Sequence, residues 1–327
     1  MQRQFVFFLM VLSLLSCSGI KNRNLIEIEA DPGKGFNFPY LLFLPDSISD
    51  QKELFLIVEP NNSGFVNDKL GEHLEKARRT ASIDYYIGNY ISGKLGYPLL
   101  VPVFPRPESD WKIYTHALDR DAILQKDNPL ERLDIQLVRM IEDARDTLLR
   151  LGYPTKDRVL MAGFSASGTF ANRFSLIHPE RIFALAAGGL NGLLMLPVSK
   201  INGIGLNYPL GTNDFSQLFN EPFDSAAFRN TPQYLFMGGL DDNDAVLFDD
   251  GYDPEERAAV FKAIGEKMQP DRWNTCREIY MNAGINATII TYDSLGHKHP
   301  PEVMENILSF FISAIEEGDS TATENNY

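Results

Sequence analysis

The stretch that decides the fold is Gly163-Phe164-Ser165-Ala166-Ser167-Gly168. A mostly apolar run, residues 158–162, precedes it and predicts a strand, and residues 169–177 after it form a predicted helix. A tight turn between a strand and a helix lifts a serine hydroxyl clear of the sheet, at the positive end of the helix. Such turns usually read G-x-S-x-G, and Ser167 stands here in place of the second glycine.

Apolar patterns on both sides of this stretch predict alternating strands and helices. The continuous apolar run Leu54–Val58 is typical of a strand buried on both faces. Within residues 130–151, apolar residues recur every three or four positions, which predicts the longest helix. This alternation continues along the chain and predicts an α/β fold, with a mostly parallel central sheet and helices on both faces.

We expect residues 25–317 to form a single domain. A chain of 327 residues could hold two domains, but one large α/β domain also accounts for the length. Residues 190–231 are irregular and rich in Gly, Asn, Pro and Phe, which predicts either a lid-like or a covering insertion. Residues 318–327 are polar, and we expect them to form a frayed tail.

The N-terminus has the pattern of an export signal. The run Phe5–Leu15 is apolar but too short to span a bilayer, so residues 1–16 are interpreted as a signal peptide. The run ends in Leu14-Leu15-Ser16-Cys17, which resembles a bacterial lipobox, although a smaller residue than Leu15 is commoner there. The resemblance implies lipidation at Cys17, a tether over residues 17–24 and an anchor in the bacterial cell envelope, at the periplasmic face or the cell surface. The alternative is an ordinary cleaved signal peptide.

The net charge argues against one class of partner, and the cysteine content argues against a disulfide. The net charge of −14 argues against binding to nucleic acid, because that needs a basic surface. The chain has two cysteines, and lipidation of Cys17 would leave Cys276 without a partner. We therefore expect no disulfide and a buried, inert Cys276.

A serine nucleophile needs a base within hydrogen-bond reach. The five histidines are His73, His116, His178, His297 and His299. Sites in parallel sheets gather at the carboxyl ends of the strands, and His297 follows the last predicted strand directly. His178 lies at the far end of the helix after Ser165, so it points away.

The base in turn needs an acid to orient it, and three candidates follow the strand Gln233–Met237. They are Asp241, Asp242 and Asp244. Their positions alone do not separate them.

The motifs around Ser165, these aspartates and His297 resemble the α/β-hydrolase superfamily, over nearly the whole chain after the signal. The superfamily has the order Ser, Asp, His, each after a strand. The resemblance implies a nucleophile at Ser165 and a base at His297, which follows Gly296. It also implies Asp242 as the acid, three residues after Gly239, with Asp244 as the runner-up.

The same resemblance implies an oxyanion hole. One donor is the backbone N–H of Ala166, directly after the nucleophile. The second comes from the loop after an early strand, here Pro60-Asn61-Asn62. Because Pro60 has no N–H, Asn61 or Asn62 must serve, and we favour Asn62.

Three other groups of residues have a functional and a structural interpretation. Trp111, Tyr114 and His116 could line a substrate pocket, or could fix the long connection in which they lie. The pair His297 and His299 has a spacing seen in zinc sites, but no further ligand cluster is evident. The acidic stretch 249–256 could suggest calcium, and we favour a solvated loop that caps a helix. We expect no metal and no cofactor.

The function that these features predict is an exported serine hydrolase, in which Ser165 attacks an ester of a small-molecule or polymer acyl substrate. A peptidase of the same fold is one alternative. A catalytically inactive, lipid-anchored binding protein is another, because Ser167 and Pro60 depart from the superfamily pattern. The oligomeric state and the acyl and alcohol specificity stay open.

Overall fold

The computed structural model of the chain describes residues 24–61 and 65–324. The predicted signal peptide, the lipidation site Cys17 and the favoured oxyanion donor Asn62 lie outside the described residues. The predictions made on them therefore stay predictions.

The described residues contain ten strands and ten α-helices, interspersed along the chain from β1 to α10. The strands are β1 (Leu25–Ile28), β2 (Tyr40–Phe43), β3 (Ile57–Val58), β4 (Leu99–Pro102), β5 (Val159–Phe164), β6 (Ile182–Gly188), β7 (Lys200–Ile201), β8 (Ile204–Gly205), β9 (Gln233–Gly238) and β10 (Ala287–Tyr292). The α-helices are α1 (Leu70–Ser82), α2 (Ile87–Leu95), α3 (Arg120–Ile123), α4 (Leu133–Arg150), α5 (Ala166–Ile177), α6 (Phe215–Phe219), α7 (Ser225–Asn230), α8 (Pro254–Ile264), α9 (Trp273–Asn282) and α10 (Pro301–Glu324).

Eight of these strands form one sheet, in the order β1-β2-β4-β3-β5-β6-β9-β10. β2 pairs antiparallel with β1 and β4, whereas the pairs from β4 through to β10 are all parallel. The predicted α/β fold with a mostly parallel sheet is confirmed. The parallel pairing brings the carboxyl ends of β3, β5, β6, β9 and β10 to the same edge, where the residues that follow each strand can meet.

Each face of the sheet is covered by helices over its own apolar core. Along β5, Val159 and Met161 pack into one core, whereas Leu160 and Ala162 pack into the other. The first core includes residues of α4, α5 and α9, and the second includes residues of α1, α2 and α10. A strand buried on both faces is a near-continuous apolar run, which is why these strands were readable from the sequence.

The insertion of residues 190–231 covers the first core. It contains the β7–β8 hairpin, α6 and α7. Its buried apolar side chains belong to the same core as α5: they include Leu193, Leu196, Leu206, Tyr208, Phe215 and Phe228. Of the two predicted roles for this insertion, the packing favours the covering one.

The C-terminal helix is longer than expected. α10 continues to Glu324, so the prediction of a frayed tail from residue 318 is wrong for the described part of that segment. Asp319 on this last part of α10 forms an ion pair with Lys156 at 2.8 Å. Gly318 gives room to the Phe183 ring, which a Cβ at that position would approach to 2.7 Å. These contacts hold the polar end of the helix against the domain.

One further sequence expectation concerns a single residue. Cys276 is a buried free thiol on α9, and burial raises its pKa to about 12, in agreement with the expected inert cysteine. No helix among the described residues combines the length and the apolar composition needed to cross a bilayer.

Glu59 makes the stability of this fold depend on pH. Its side chain is 2% exposed directly after β3, and its Oε2 accepts a hydrogen bond from the Gly88 N–H at 2.6 Å. Burial raises the pKa of this carboxyl to about 8. Because the folded-state pKa lies above the ordinary value of 4.5, the folded protein holds a proton that the unfolded chain releases. Stability therefore falls as the pH rises from about 4.5 to about 8.

We expect Glu59→Gln to remove this loss, because glutamine keeps an oxygen acceptor for Gly88 and cannot ionise. The variant should melt at a higher temperature than the wild type near pH 9 and close to it near pH 5. Thermal unfolding at the two pH values measures this. The exposed Glu53→Gln serves as the control, and an equal gain there would assign the effect to net charge rather than to burial.

Candidate active site

The predicted turn around Ser165 is present between β5 and α5. Ser165 has φ 63° and ψ −128°, a region that residues with a Cβ rarely occupy and that persists only where the surrounding structure enforces it. A Cβ on Gly163 would lie 2.5 Å from the Ser167 carbonyl oxygen, and one on Gly168 would lie 2.5 Å from that of Gly188. The strand and the helix thus approach so closely that only glycine fits at both positions.

Ser167 fits into this turn because its hydroxyl forms two hydrogen bonds with the Phe164 backbone. Its Oγ donates to the Phe164 carbonyl at 2.9 Å and accepts from the Phe164 N–H at 3.0 Å. The hydroxyl therefore ties the first turn of α5 to the end of β5. The departure from G-x-S-x-G leaves the geometry of the turn intact.

The acid that contacts His297 is Asp241. Its Oδ2 lies 2.9 Å from His297 Nδ1, and the Asp241 side chain is 2% exposed. The prediction of Asp242 as the partner of His297 is wrong, because Asp242 is exposed and its side chain has no hydrogen bond or ion pair among the described residues. The runner-up Asp244 is also wrong for this role, because it pairs with the buried Arg272.

The error of one residue follows from where β9 ends. The strand extends to Gly238, and the Asp241 N–H donates to the Gly238 carbonyl at 3.2 Å, which starts the turn one residue earlier than expected. A Cβ on Gly238 would lie 2.3 Å from the Leu295 carbonyl oxygen. Gly238, rather than Gly239, is therefore the glycine from which the three-residue spacing runs.

Two asparagines that the sequence analysis missed connect the serine to the histidine. Ser165 Oγ lies 3.4 Å from Asn191 Oδ1, and Asn243 Nδ2 donates to that same oxygen at 3.0 Å. Asn243 Nδ2 also lies 3.2 Å from His297 Nε2. With the Nδ1 proton directed at Asp241, the Nε2 lone pair thus accepts from Asn243. The only signal in the sequence was the position of each asparagine, shortly after the end of a strand.

Of the predicted oxyanion donors, the structure describes Ala166 and Asn61 but not Asn62. Ala166 is the first residue of α5, so its N–H has no acceptor within the helix. Asn61 lies at the carboxyl end of β3, next to β5 in the sheet. Its side chain is fully buried and binds the Phe104 backbone, with Nδ2 donating to the carbonyl at 3.1 Å. That leaves only its backbone for an oxyanion, and the second donor stays a prediction.

A small cavity, with room for about one water molecule, lies next to Asn191, whose Oδ1 is 3.4 Å from Ser165 Oγ. It is lined by Tyr114, Ala117, Thr169, Arg173, Asn191, Ala245, Gly251 and Tyr252. Of the predicted pocket residues, Tyr114 lines this cavity. His116 is buried behind it with Nε2 2.7 Å from the Phe104 carbonyl, and Trp111 is 46% exposed and does not line it.

The other histidines have structural surroundings. His299 packs against Phe164 and Tyr85, and burial lowers its pKa to about 4, so it stays neutral at pH 7. His178 lies at the end of α5 with Nε2 2.9 Å from Asp134 Oδ2, far along the helix from the serine as expected. Neither contacts Ser165 or Asp241.

The acidic stretch 249–256 has protein partners. Asp249 pairs with Arg257 at 2.7 Å, and Asp253 forms a capping box at the start of α8, which confirms the helix-capping interpretation. Over the described residues 24–61 and 65–324, no three His, Cys, Asp or Glu side chains come together as a metal site would require.

Comparison with solved structures places this architecture among the α/β hydrolases. The poly(3-hydroxybutyrate) depolymerase LpqC from Bordetella parapertussis aligns with a TM-score of 0.53 and 14% identity, over 89% of this chain and 89% of its own. Poly(aspartic acid) hydrolase-1 from Sphingomonas sp. KT-1 aligns with a TM-score of 0.50 and 17% identity, over 84% and 93%. No protein-family model and no curated protein sequence matches the chain. At these identities the likeness defines an α/β-hydrolase fold, and the chemistry rests on the residues at the site.

Proposed function

We propose that this chain is a serine hydrolase that cleaves carboxylic esters through an acyl-enzyme. The observation that carries the proposal is the strained Ser165 turn at the same sheet edge as the Asp241–His297 pair. A structural turn would need neither a serine at positive φ nor a buried carboxylate aimed at a histidine of a neighbouring loop.

In the first half of the reaction, Ser165 Oγ attacks the ester carbonyl and gives its proton to His297 Nε2. Asp241 accepts the Nδ1–H, which holds the tautomer that leaves Nε2 free to act as a base and stabilises the imidazolium that forms. The carbonyl oxygen becomes an alkoxide, and the Ala166 N–H stabilises it at the helix N-terminus. His297 then protonates the departing alcohol.

In the second half, a water attacks the acyl group on Ser165 and gives a proton to the same His297 Nε2. The second tetrahedral intermediate collapses, the carboxylic acid leaves, and the proton returns to Ser165 Oγ. The same groups serve both halves, so the site needs no further acid or base.

For the proton transfer, Asn243 has to release His297 Nε2. The Asn243 side chain is exposed, so it can rotate toward solvent when a substrate enters. Among the described residues Ser165 Oγ contacts Asn191 and His297 Nε2 contacts Asn243, with no hydrogen bond between the serine and the histidine. Catalytic hydrogen bonds often form only in the substrate complex, and the proposal requires that this one forms there.

Export and a lipid anchor at Cys17 are part of the proposal, and they rest on the sequence of residues 1–17 alone. An ester is preferred over a peptide because esterases are the broad default of this superfamily. The peptidase and the inactive binding protein are the other outcomes of the tests.

We expect a fluorophosphonate probe to label the wild-type chain on Ser165, because the Asp241–His297 pair activates that hydroxyl. Ser165→Ala should abolish labelling. Ser175→Ala, a buried serine on the same helix whose hydroxyl bonds only the Asn172 carbonyl, should leave labelling unchanged. Mass spectrometry of the labelled peptide identifies the site.

Folded wild-type protein that neither takes the probe nor hydrolyses short-chain esters would favour the binding protein. Labelling without ester hydrolysis, but with cleavage of a peptide panel, would favour the peptidase.

A further inference from the structure

The strand β10 forms an open edge of the central sheet. It is the last strand of the sheet, and among the described residues it pairs only with β9. Its sequence, Ala287-Thr288-Ile289-Ile290-Thr291-Tyr292, has no charge and no proline, and four of the six residues are β-branched. Its register with β9 has no bulge. Proteins normally protect a sheet edge with charges, prolines or bulges, because an open edge recruits another strand.

The opposite edge of the sheet is protected in this usual way. β1 has only four residues, and its third residue, Glu27, is exposed. Glu27 pairs with Arg78 at 2.6 Å, so a charged pair lies on that strand. The contrast makes β10 the edge that is open to a further strand.

The backbone of β10 directs hydrogen-bonding groups away from the sheet. The Asn286 carbonyl accepts from the Gln233 N–H on the side of β9, and so does the Tyr292 carbonyl from the Gly239 N–H. Because these groups alternate in direction along a strand, the even-numbered residues of β10 bond β9. The outward groups are those of the odd-numbered residues: the N–H and C=O of Ile289 and Thr291, and the C=O of Ala287.

Open space lies on both faces of this edge. A groove of about 470 Å³ between β10 and α9 is bordered by Ala287, Ile289 and Met281, the last of which is 72% exposed. A second groove of about 580 Å³ lies between β10 and α10 and is bordered by Ile290 and Phe310. A strand that adds to β10 therefore finds room for its side chains on both faces.

We propose that β10 is the interface of a homodimer, in which it pairs antiparallel with β10 of a second copy and continues the sheet. An antiparallel pair of identical strands has a two-fold axis, which is the symmetry of a closed dimer. In the register centred on Ile289, this residue exchanges both hydrogen bonds with its counterpart, and the Thr291 N–H donates to the Ala287 carbonyl of the second copy. The same register sets Thr288 opposite Ile290 of the second copy, an apolar contact in place of a charge.

The charges beside the strand favour a second copy as the partner. A short turn joins α9 to β10, so the helix runs back along the strand. Helices rise about 1.5 Å and strands about 3.3 Å per residue, which sets Arg277 and Glu278 level with the middle of β10. Both residues border the groove on the α9 face. The two-fold axis is perpendicular to the sheet, so Arg277 of each copy faces Glu278 of the other.

The net charge of the chain supports the same choice of surface. At −14 per chain, two copies repel each other over most of their surfaces. The strand β10 is uncharged, and the pair beside it is complementary to itself, so this edge is where the repulsion is least.

Sedimentation velocity of the full-length chain at micromolar concentration tests the proposal. The wild type should sediment as a dimer. Thr288→Lys places a charge at an exposed position of the edge, and each dimer would bury it twice, so the dissociation constant should rise by about a hundredfold. Ser216→Lys, the same charge at an exposed serine on α6, should leave the dimer intact. A monomeric wild type, or a dimer that survives Thr288→Lys unchanged, overturns the proposal.

Charge reversal on α9 tests whether the partner is a second copy. Arg277→Glu sets two glutamates against each other and Glu278→Arg sets two arginines, so each should raise the dissociation constant by about fivefold. The double variant Arg277→Glu/Glu278→Arg restores opposite charges and should dimerise like the wild type. Such rescue requires that both sides of the interface carry the same substitutions. Additive weakening in the double variant would overturn the two-fold arrangement.

Hydrogen exchange reports on the backbone pairing itself. In the wild-type dimer the amides of Ile289 and Thr291 should be protected, and in the Thr288→Lys monomer they should exchange at least about tenfold faster. The amide of Ile290, which bonds β9, should stay protected in both and shows that the variant is folded. Rapid exchange at Ile289 and Thr291 in a wild-type dimer would place the interface elsewhere.

The dimer and the proposed hydrolase activity can fail independently. The catalytic contacts lie at the carboxyl ends of the strands and not along the edge of β10, so the Thr288→Lys monomer should label at Ser165 and hydrolyse esters at the wild-type rate per chain. A dimer without labelling would overturn only the activity, whereas an active monomeric wild type would overturn only the dimer.

Discussion

Asp241→Asn is expected to lower kcat for ester hydrolysis by about 10⁴-fold with little change in the fold. Asparagine keeps the Oδ1 that accepts from the Asn243 N–H at 3.0 Å. Its amide, however, would donate toward His297 Nδ1 and force the proton onto Nε2. A histidine protonated at Nε2 cannot accept the proton of Ser165. His297 therefore stays in place but can no longer act as the base.

The matched control is Asp242→Asn, one residue along the same loop. This carboxylate is exposed, and we expect a change in kcat of less than about threefold, as is usual for a surface substitution. Initial rates with one ester, together with the rate of fluorophosphonate labelling, measure both variants, and thermal unfolding verifies the fold. Equal losses in the two variants would contradict the assignment of Asp241.

The sequence predicted the parts of the site that local patterns specify. Ser165 was readable because a close approach of strand and helix demands Gly163 and Gly168 around it. His297 was readable because it directly follows the last strand. In both cases the signal lies within a few residues of the functional group, so no knowledge of the remaining fold was needed.

The acid could not be read in the same way because it depends on a contact between two loops. Asp241, Asp242 and Asp244 lie within four residues, and all follow β9. What separates them is the close contact of Gly238 with the loop that carries His297, which sets where the turn begins. A shift of one residue in the start of the turn decides which carboxylate points at the histidine, and no local sequence pattern specifies that start.

Asn191 and Asn243 were missed for a related reason. Asparagine is a common turn former, so neither residue stands out in a loop. Their roles appear only when the ends of β6 and β9 are placed side by side. The insertion of residues 190–231 was likewise ambiguous, because its apolar residues follow no helical or strand period and its packing is decided by the domain beneath it.

The largest loss of stability is expected from Asp244→Ala. Asp244 Oδ2 accepts from Arg272 Nη2, and Arg272 is fully buried with its Nε and Nη1 already without partners. Removing the carboxylate leaves a buried charge uncompensated, which costs about 3–5 kcal/mol of the free energy of unfolding. The Val246 N–H, which donates to Asp244 Oδ1 at 3.1 Å, loses its acceptor as well.

Urea denaturation of Asp244→Ala, Arg272→Met and the double variant measures this coupling. The double variant should recover part of the loss, because it no longer buries an unpaired guanidinium. Asp249→Ala removes the exposed partner of Arg257 and should cost less than about 1 kcal/mol. If Asp244→Ala also cost less than about 1 kcal/mol, that result would contradict the structural role of Asp244. If the folded Asp244→Ala chain lost as much kcat as Asp241→Asn, that result would assign Asp244 a role in the reaction. Otherwise the two aspartates of this loop have different roles: Asp241 orients the base His297, and Asp244 holds the loop that carries Asp241.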